Sequence, residues 1–156
     1  MNFIHLTWKD IEDKCDAIVT QIKDRHMQFN VIISIGRGGM IPARILSDRL
    51  NIRDVYLYNI KLYKGINVRN TKPTVESFNH NIEKKSVLLI DDILDSGITL
   101  EKAYSEMTSK RPERVTTATL FCKDFAVTKP TFFSTLCKKE DWIVFPWEKD
   151  ETKIGS

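Results

Sequence analysis

The sequence predicts an α/β fold in which a central, mostly parallel sheet is flanked by helices. Three observations carry that prediction. Short apolar runs, VIISI from Val31, VLLID from Val87 and VTTATLF from Val115, alternate with stretches of helical pattern. The runs are continuously apolar, as strands covered on both faces are. The first two end in loops rich in glycine or acid, and ligands of open parallel sheets bind beyond the carboxyl ends of the strands.

Taken in order, Thr7 is placed to cap a helix together with Asp10, and Ile11, Cys15, Ile18, Val19 and Ile22 then share one face. This helix should end near His26. VIISI is a strand that stops at glycines, and MIPARILSDRL after it is a helix whose Ile41, Ile45, Leu46 and Arg49 suit packing on a sheet. DVYLYNIKLY, rich in β-branched and aromatic residues, reads as one further strand. From Lys64 to Lys85 the chain is polar and weakly patterned, which predicts a long mobile loop with at most a short hairpin. VLLID is a buried strand, LEKAYSEMTSK after the acidic turn is a helix, and VTTATLF, Val115 to Phe121, is another strand. Near the end, KKEDWIVFPWEKD gathers Trp142, Ile143, Phe145 and Trp147 into an aromatic cluster.

No repeat or linker divides the 156 residues, and with 42% hydrophobic residues they can bury one core, so a single domain over 1–156 is expected. The balance of 24 basic and 21 acidic residues, net +3, gives no ground for nucleic-acid binding and leaves small anionic ligands open. Cys15, Cys122 and Cys137 are an odd set without metal-type spacing, as expected of reduced packing thiols in a cytoplasmic protein. The charged N-terminal stretch lacks the apolar centre of a signal peptide, and no apolar run approaches membrane-spanning length.

The chemistry concentrates in VLLIDDILDSGITL. Asp91, Asp92 and Asp95 crowd together at a buried strand end, where unneutralised carboxylates are costly, so a ligand is implied. Ser96, Gly97, Ile98 and Thr99 offer backbone N–H groups and two hydroxyls at a helix N-terminus, which suits a phosphate. Asp91 and Asp92 can accept hydrogen bonds from vicinal hydroxyls such as those of ribose. The combination describes a ribose 5-phosphate unit. No GxxxxGK[ST] loop accompanies the acids, and their spacing is not that of an EF-hand. In the second loop, SIGRGGMIPAR, Ile41 stands where a dinucleotide fingerprint needs glycine.

Apolar run, two acids, two spacers, an acid, Ser, Gly, any residue and Thr: this pattern resembles the phosphoribosyl pyrophosphate signature of type I phosphoribosyltransferases. The resemblance extends from the GRGG loop to the C-terminal aromatic segment. It implies that Gly36, Arg37, Gly38 and Gly39 bind pyrophosphate, often with a cis peptide, here Gly36 to Arg37, and that Asp91, Asp92, Asp95 and Ser96 to Thr99 bind the rest of phosphoribosyl pyrophosphate. Mg²⁺ is the implied cofactor, with Asp92 on the metal side, and Asp95 is the implied catalytic group near purine N7. Lys123, Trp142 and Ile143 look like the purine-reading positions of the xanthine-guanine branch, in a small hood over about 124–150. The activity implied by the resemblance is transfer of a phosphoribosyl group to a 6-oxopurine in purine salvage. It further implies the 64–85 segment as lid, no nucleic-acid or membrane partner, and a homodimer or homotetramer as is typical of the family. A transferase for another nucleobase and a non-catalytic ligand-binding regulator are the alternatives.

Overall fold

A computed structural model describes residues 1–62, 73–75 and 77–148. The elements run β1 Asn2–His5, α1 Trp8–Asp24, β2 Val31–Ile35, α2 Met40–Leu50, β3 Asp54–Tyr58, β4 Ile60–Leu62, β5 Pro73–Val75, β6 Ser86–Leu94, α3 Ile98–Ser109, β7 Arg114–Lys123, β8 Phe132–Cys137 and β9 Asp141–Val144. A five-stranded sheet of order β3-β2-β6-β7-β8 forms the centre, and all four of its pairings are parallel.

Strand alternation divides the core into two layers. Ile32, Leu88 and Ile90 point into the layer covered by α1 and α2, while Val31, Ile33, Val87 and Leu89 point into the layer covered by α3. Burying each such side chain contributes about 1.5–3 kcal/mol. On α1 the five expected residues are the five buried ones, and the Thr7–Asp10 capping box closes, with Asp10 N donating to Thr7 Oγ1 over 3.1 Å and Thr7 N to Asp10 Oδ2 over 2.7 Å. Arg49, expected on the sheet-packing face of α2, lies instead on the seam with α1, reaching Glu12 at 2.9 Å and Asp16 at 3.0 Å. A guanidinium keeps better company with those carboxylates than with an apolar sheet.

Four departures from the sequence-based expectation bear on the site. DVYLYNIKLY breaks at Asn59, because β2 ends at Ile35 opposite Tyr58; β3 therefore stays in the main sheet while β4 pairs antiparallel with β5. The strand expected to stop at Asp91 runs on to Leu94, supported by β7 through Ile93 opposite Phe121 and Leu94 opposite Cys122. Asp91 and Asp92 are thus strand residues, and only Asp95 and Ser96 form the turn. Of the expected loop, 64–72 and 76 lie outside the described residues, but Phe78 and Ile82 are buried in the α3-side core, and Phe78 meets Tyr58 edge-on at 5.9 Å. Finally, β8 falls inside the expected hood yet belongs to the main sheet, and β9 pairs in parallel with β1, Phe3 opposite Trp142 and Ile4 opposite Ile143. Among the described residues no helix is long and apolar enough to cross a membrane.

Candidate active site

The carboxyl ends of β2 and β6 lie side by side, and both loops singled out in the sequence emerge there. β2 pairs with β6 only as far as Ser34 opposite Ile90, so Asp91 and Asp92 stand just past the point where β2 gives way to the glycine loop. That loop is packed against them. A Cβ on Gly38 would fall 2.5 Å from Asp92 Oδ2, and one on Gly39 would fall 3.0 Å from both the Ile35 carbonyl and Ser34 Oγ. No side chain larger than hydrogen fits either position as the loop stands. The peptides here are trans, in contrast to the cis Gly36 to Arg37 bond implied by the family resemblance; Gly36 turns the chain through a left-handed φ of +52° instead, with its N–H donating to the Tyr58 carbonyl over 2.8 Å.

Successive strand residues face opposite sides, which puts Asp92 toward Gly38. Asp92 N donates to Asp91 Oδ1 over 2.9 Å and Ile93 N to Asp92 Oδ1 over 2.7 Å, which fixes both carboxyls at the strand. Burial pushes the Asp91 carboxyl well above the usual carboxylate range, with the neighbouring Asp92 charge adding to the shift, and burial likewise raises Asp92. Both groups therefore favour a neutral or charge-compensated surrounding. Past them, Gly97 caps α3 with φ +88°, and Ile98 N lies 3.5 Å from Ser96 Oγ at the helix start.

Two adjoining cavities join these parts. One, of about 340 Å³, is lined by Gly36, Arg37, Gly38, Asp91, Asp92 and Thr99, together with Ile60, Trp147 and Glu148. The other is smaller, about 80 Å³, and is walled by Asp95, Ser96 and Gly97; Asp91 and Thr99 border both. The small pocket at the start of α3 and the acid-lined cleft thus share a wall. Ile98, at the start of α3, is 52% exposed. Sequence reading gave Ile60, Trp147 and Glu148 no part in the site. Trp147 reaches it by stacking on Phe145, centroids 4.8 Å apart at 9°, an arrangement that only tertiary packing reveals.

None of the three base-reading candidates lines either cavity. Ile143 is 7% exposed and packs in the α1-side core, whereas Trp142 on the opposite face of β9 is 51% exposed. Lys123 is 7% exposed, and its ammonium donates to the carbonyls of Lys138 at 2.9 Å, Lys139 at 3.5 Å and Asp141. Because Leu94 pairs with Cys122, Asp95, the first residue past β6, follows beside the end of β7, whose last residue is Lys123.

Among the described residues no cluster of three or more metal-ligating side chains forms. A divalent cation would find two carboxylates here and take its remaining oxygens from water and substrate, the usual arrangement for Mg²⁺ bound with phosphates. The raised Asp91 and Asp92 fit that role, since a cation offsets what burial penalises.

Comparison with known proteins agrees with this geometry. The model of the phosphoribosyl transferase domain matches residues 6–151. A xanthine-guanine phosphoribosyltransferase of Ruegeria sp. (strain TM1040) is 27% identical over 92% of this chain and 84% of its own length. The crystal structure of a purine phosphoribosyltransferase from Pyrococcus horikoshii Ot3 superimposes with a TM-score of 0.83 at 31% identity, covering 96% of each chain. A Helicobacter pylori xanthine-guanine-hypoxanthine phosphoribosyltransferase gives 0.85 at 25% identity over 99% of each. With nearly the whole chain matched and the acid-lined cleft where the fold puts its ligands, the protein belongs to the phosphoribosyl transferase domain family and has its α/β fold.

Proposed function

We propose that the protein transfers the 5-phosphoribosyl group of phosphoribosyl pyrophosphate to a 6-oxopurine, releasing pyrophosphate and a purine nucleoside monophosphate. The observation that carries this is that the Ser96–Thr99 pocket and the cleft of Asp91, Asp92 and the glycine loop adjoin, with Asp91 and Thr99 lining both. A 5-phosphate on the backbone donors at the start of α3 leaves the ribose hydroxyls beside the two strand carboxylates and the diphosphate beside Gly36 to Gly39. Relatives named for purine substrates support the choice of base. So does the presence of Asp95 and Lys123 at the ends of the neighbouring strands β6 and β7, an acceptor and a donor of the kinds that the protonated N7 and the O6 of such a purine require.

In the reaction the purine nitrogen bonds to C1 of the ribose as the bond from C1 to pyrophosphate breaks. Asp91 and Asp92 hold the ribose hydroxyls, Asp92 also standing on the metal side. Asp95 takes the proton that the base sheds from N7 as its other imidazole nitrogen bonds to C1, and Arg37 with the loop N–H groups receives charge developing on the leaving oxygens. Asp92 with the diphosphate would hold Mg²⁺, which would supply further neutralisation of that charge. Trp147 and Ile60 narrow the cleft, limiting water near an oxocarbenium-like centre.

Incubation with phosphoribosyl pyrophosphate, Mg²⁺ and each of guanine, hypoxanthine, xanthine, adenine, uracil and orotate should release pyrophosphate with the 6-oxopurines. Release with none of the six contradicts the enzymatic function and leaves a ligand-binding regulator. Asp95→Asn should lower kcat by about a hundredfold or more, the range of a lost general base, while the affinity for phosphoribosyl pyrophosphate measured by calorimetry stays within about threefold. Unchanged turnover would remove Asp95 from proton transfer.

A further inference from the structure

Lys123 is the last residue of β7 and is buried, and among the described residues no carboxylate pairs with its ammonium directly; three main-chain carbonyls take its hydrogen bonds instead. Two of them belong to the turn between β8 and β9 and the third, Asp141, opens β9; the turn is cross-braced by Lys138 N donating to Asp141 Oδ2 over 2.8 Å and by Asp141 N donating to the Lys138 carbonyl over 3.1 Å. From this turn β9 departs with Trp142 and Ile143, and β1 docks on it, Asn2 N donating to the Glu140 carbonyl over 3.0 Å. One ammonium on the central sheet thus fixes where the outer two-stranded sheet begins.

An ammonium has three N–H groups and no more. Here three carbonyls already engage them, so a purine O6 can be accepted only in exchange for one of the turn's carbonyls. We propose that Lys123 is a positioning residue that makes hood placement and 6-oxopurine binding compete for one set of hydrogen bonds, so that the base is sensed by the turn at 138–141. The proposal rests on the 6-oxopurine assignment above for its ligand, but the tether itself does not. Since coupling between two sites is reciprocal, whatever loosens the turn changes affinity for 6-oxopurines, and a 6-oxopurine loosens the turn. A 6-aminopurine presents a donor at that edge, offers the ammonium nothing, and leaves the turn in place.

Hydrogen exchange followed by mass spectrometry separates the two halves. Without ligand, Lys123→Met should exchange the amides of 138–145 about tenfold faster than the parent protein, with β2 and β6 unchanged as a control on the fold. Lys123→Arg, which keeps the charge and the donors, should restore most of the protection. With ligand, saturating GMP or IMP should speed exchange at 138–141 in the parent protein, AMP should not, and Lys123→Met should respond to neither. Equal protection of 138–145 in Lys123→Met and the parent overturns the tether. A parent protein that responds alike to GMP and AMP overturns the competition. Should no base release pyrophosphate while the Met and Arg variants behave as stated, the transferase assignment falls and the tether stands.

Discussion

Asp91→Asn should yield a protein more stable than the parent and nearly devoid of activity. The Asp91 carboxyl is raised well above its ordinary value by burial and by the Asp92 charge. Its contribution to stability is therefore fully present below the unfolded value near 3.8 and is lost as pH climbs through the raised folded value. As pH rises above the unfolded value, the folded chain bears the growing cost of holding this desolvated acid, which asparagine removes. The melting curves of variant and parent should converge near pH 4 and separate as pH rises, with Tm gaining roughly 2–4 °C per ~1 kcal/mol released. The same substitution takes a charged acceptor from the ribose hydroxyls and weakens the cation's seat, so kcat/KM should fall by about a thousandfold or more, and the Tm rise given by phosphoribosyl pyrophosphate with Mg²⁺ should shrink sharply. A variant that melts lower than the parent at pH 8 would show that the buried carboxyl is compensated within the chain.

Gly39→Ala and Gly38→Ala, adjacent and chemically identical changes, should fail in different ways. At Gly39 the new methyl meets the Ile35 carbonyl and Ser34 Oγ at 3.0 Å and lies nearer still to the Ile90 carbonyl; backbone of two central strands cannot step aside. A loss of about 3 kcal/mol or more, roughly 8 °C in Tm, is expected, together with low soluble yield. At Gly38 the obstruction is the Asp92 carboxylate alone, with Oδ2 2.5 Å and Cγ 2.7 Å away, and a side chain can rotate. That variant should fold with a Tm within a few degrees of the parent and lose affinity for phosphoribosyl pyrophosphate, because the displaced carboxylate leaves the cleft's metal side. Chemical denaturation and calorimetric titration of the pair provide the comparison; equal stabilities would mean that the glycine loop shifts as a unit.

How much of the molecule is legible in its sequence depends on how local each signal is. Glycines punctuate VIISI and MIPARILSDRL, so both elements are bounded correctly, and the buried face of α1 is readable from its period. The phosphate pocket is equally local, its donors being consecutive residues. β1 and β9 resist reading because neither has a periodic pattern of its own, and each exists through the other. The overrun of β6 past Asp91 depends on how far β7 extends beside it, a fact stored elsewhere in the chain. Trp147 and Glu148 enter the cleft by the same non-local route, and the buried Lys123 looks like any surface lysine until the 138–141 turn folds over it.

The pairing of β1 with β9 also sets an order of assembly. Asn2–His5 finds its strand partner at Asp141–Val144, so this contact spans almost the whole described sequence and closes a long, entropically costly loop. During synthesis, a nascent chain that has emerged as far as Cys137 already contains all five strands of the central sheet and both cleft-lining loops, while Asn2–His5 still has nothing to pair with. On the function proposed above, the loops assigned to the sugar phosphate are therefore made before Trp142 and Ile143, two of the residues assigned to the base.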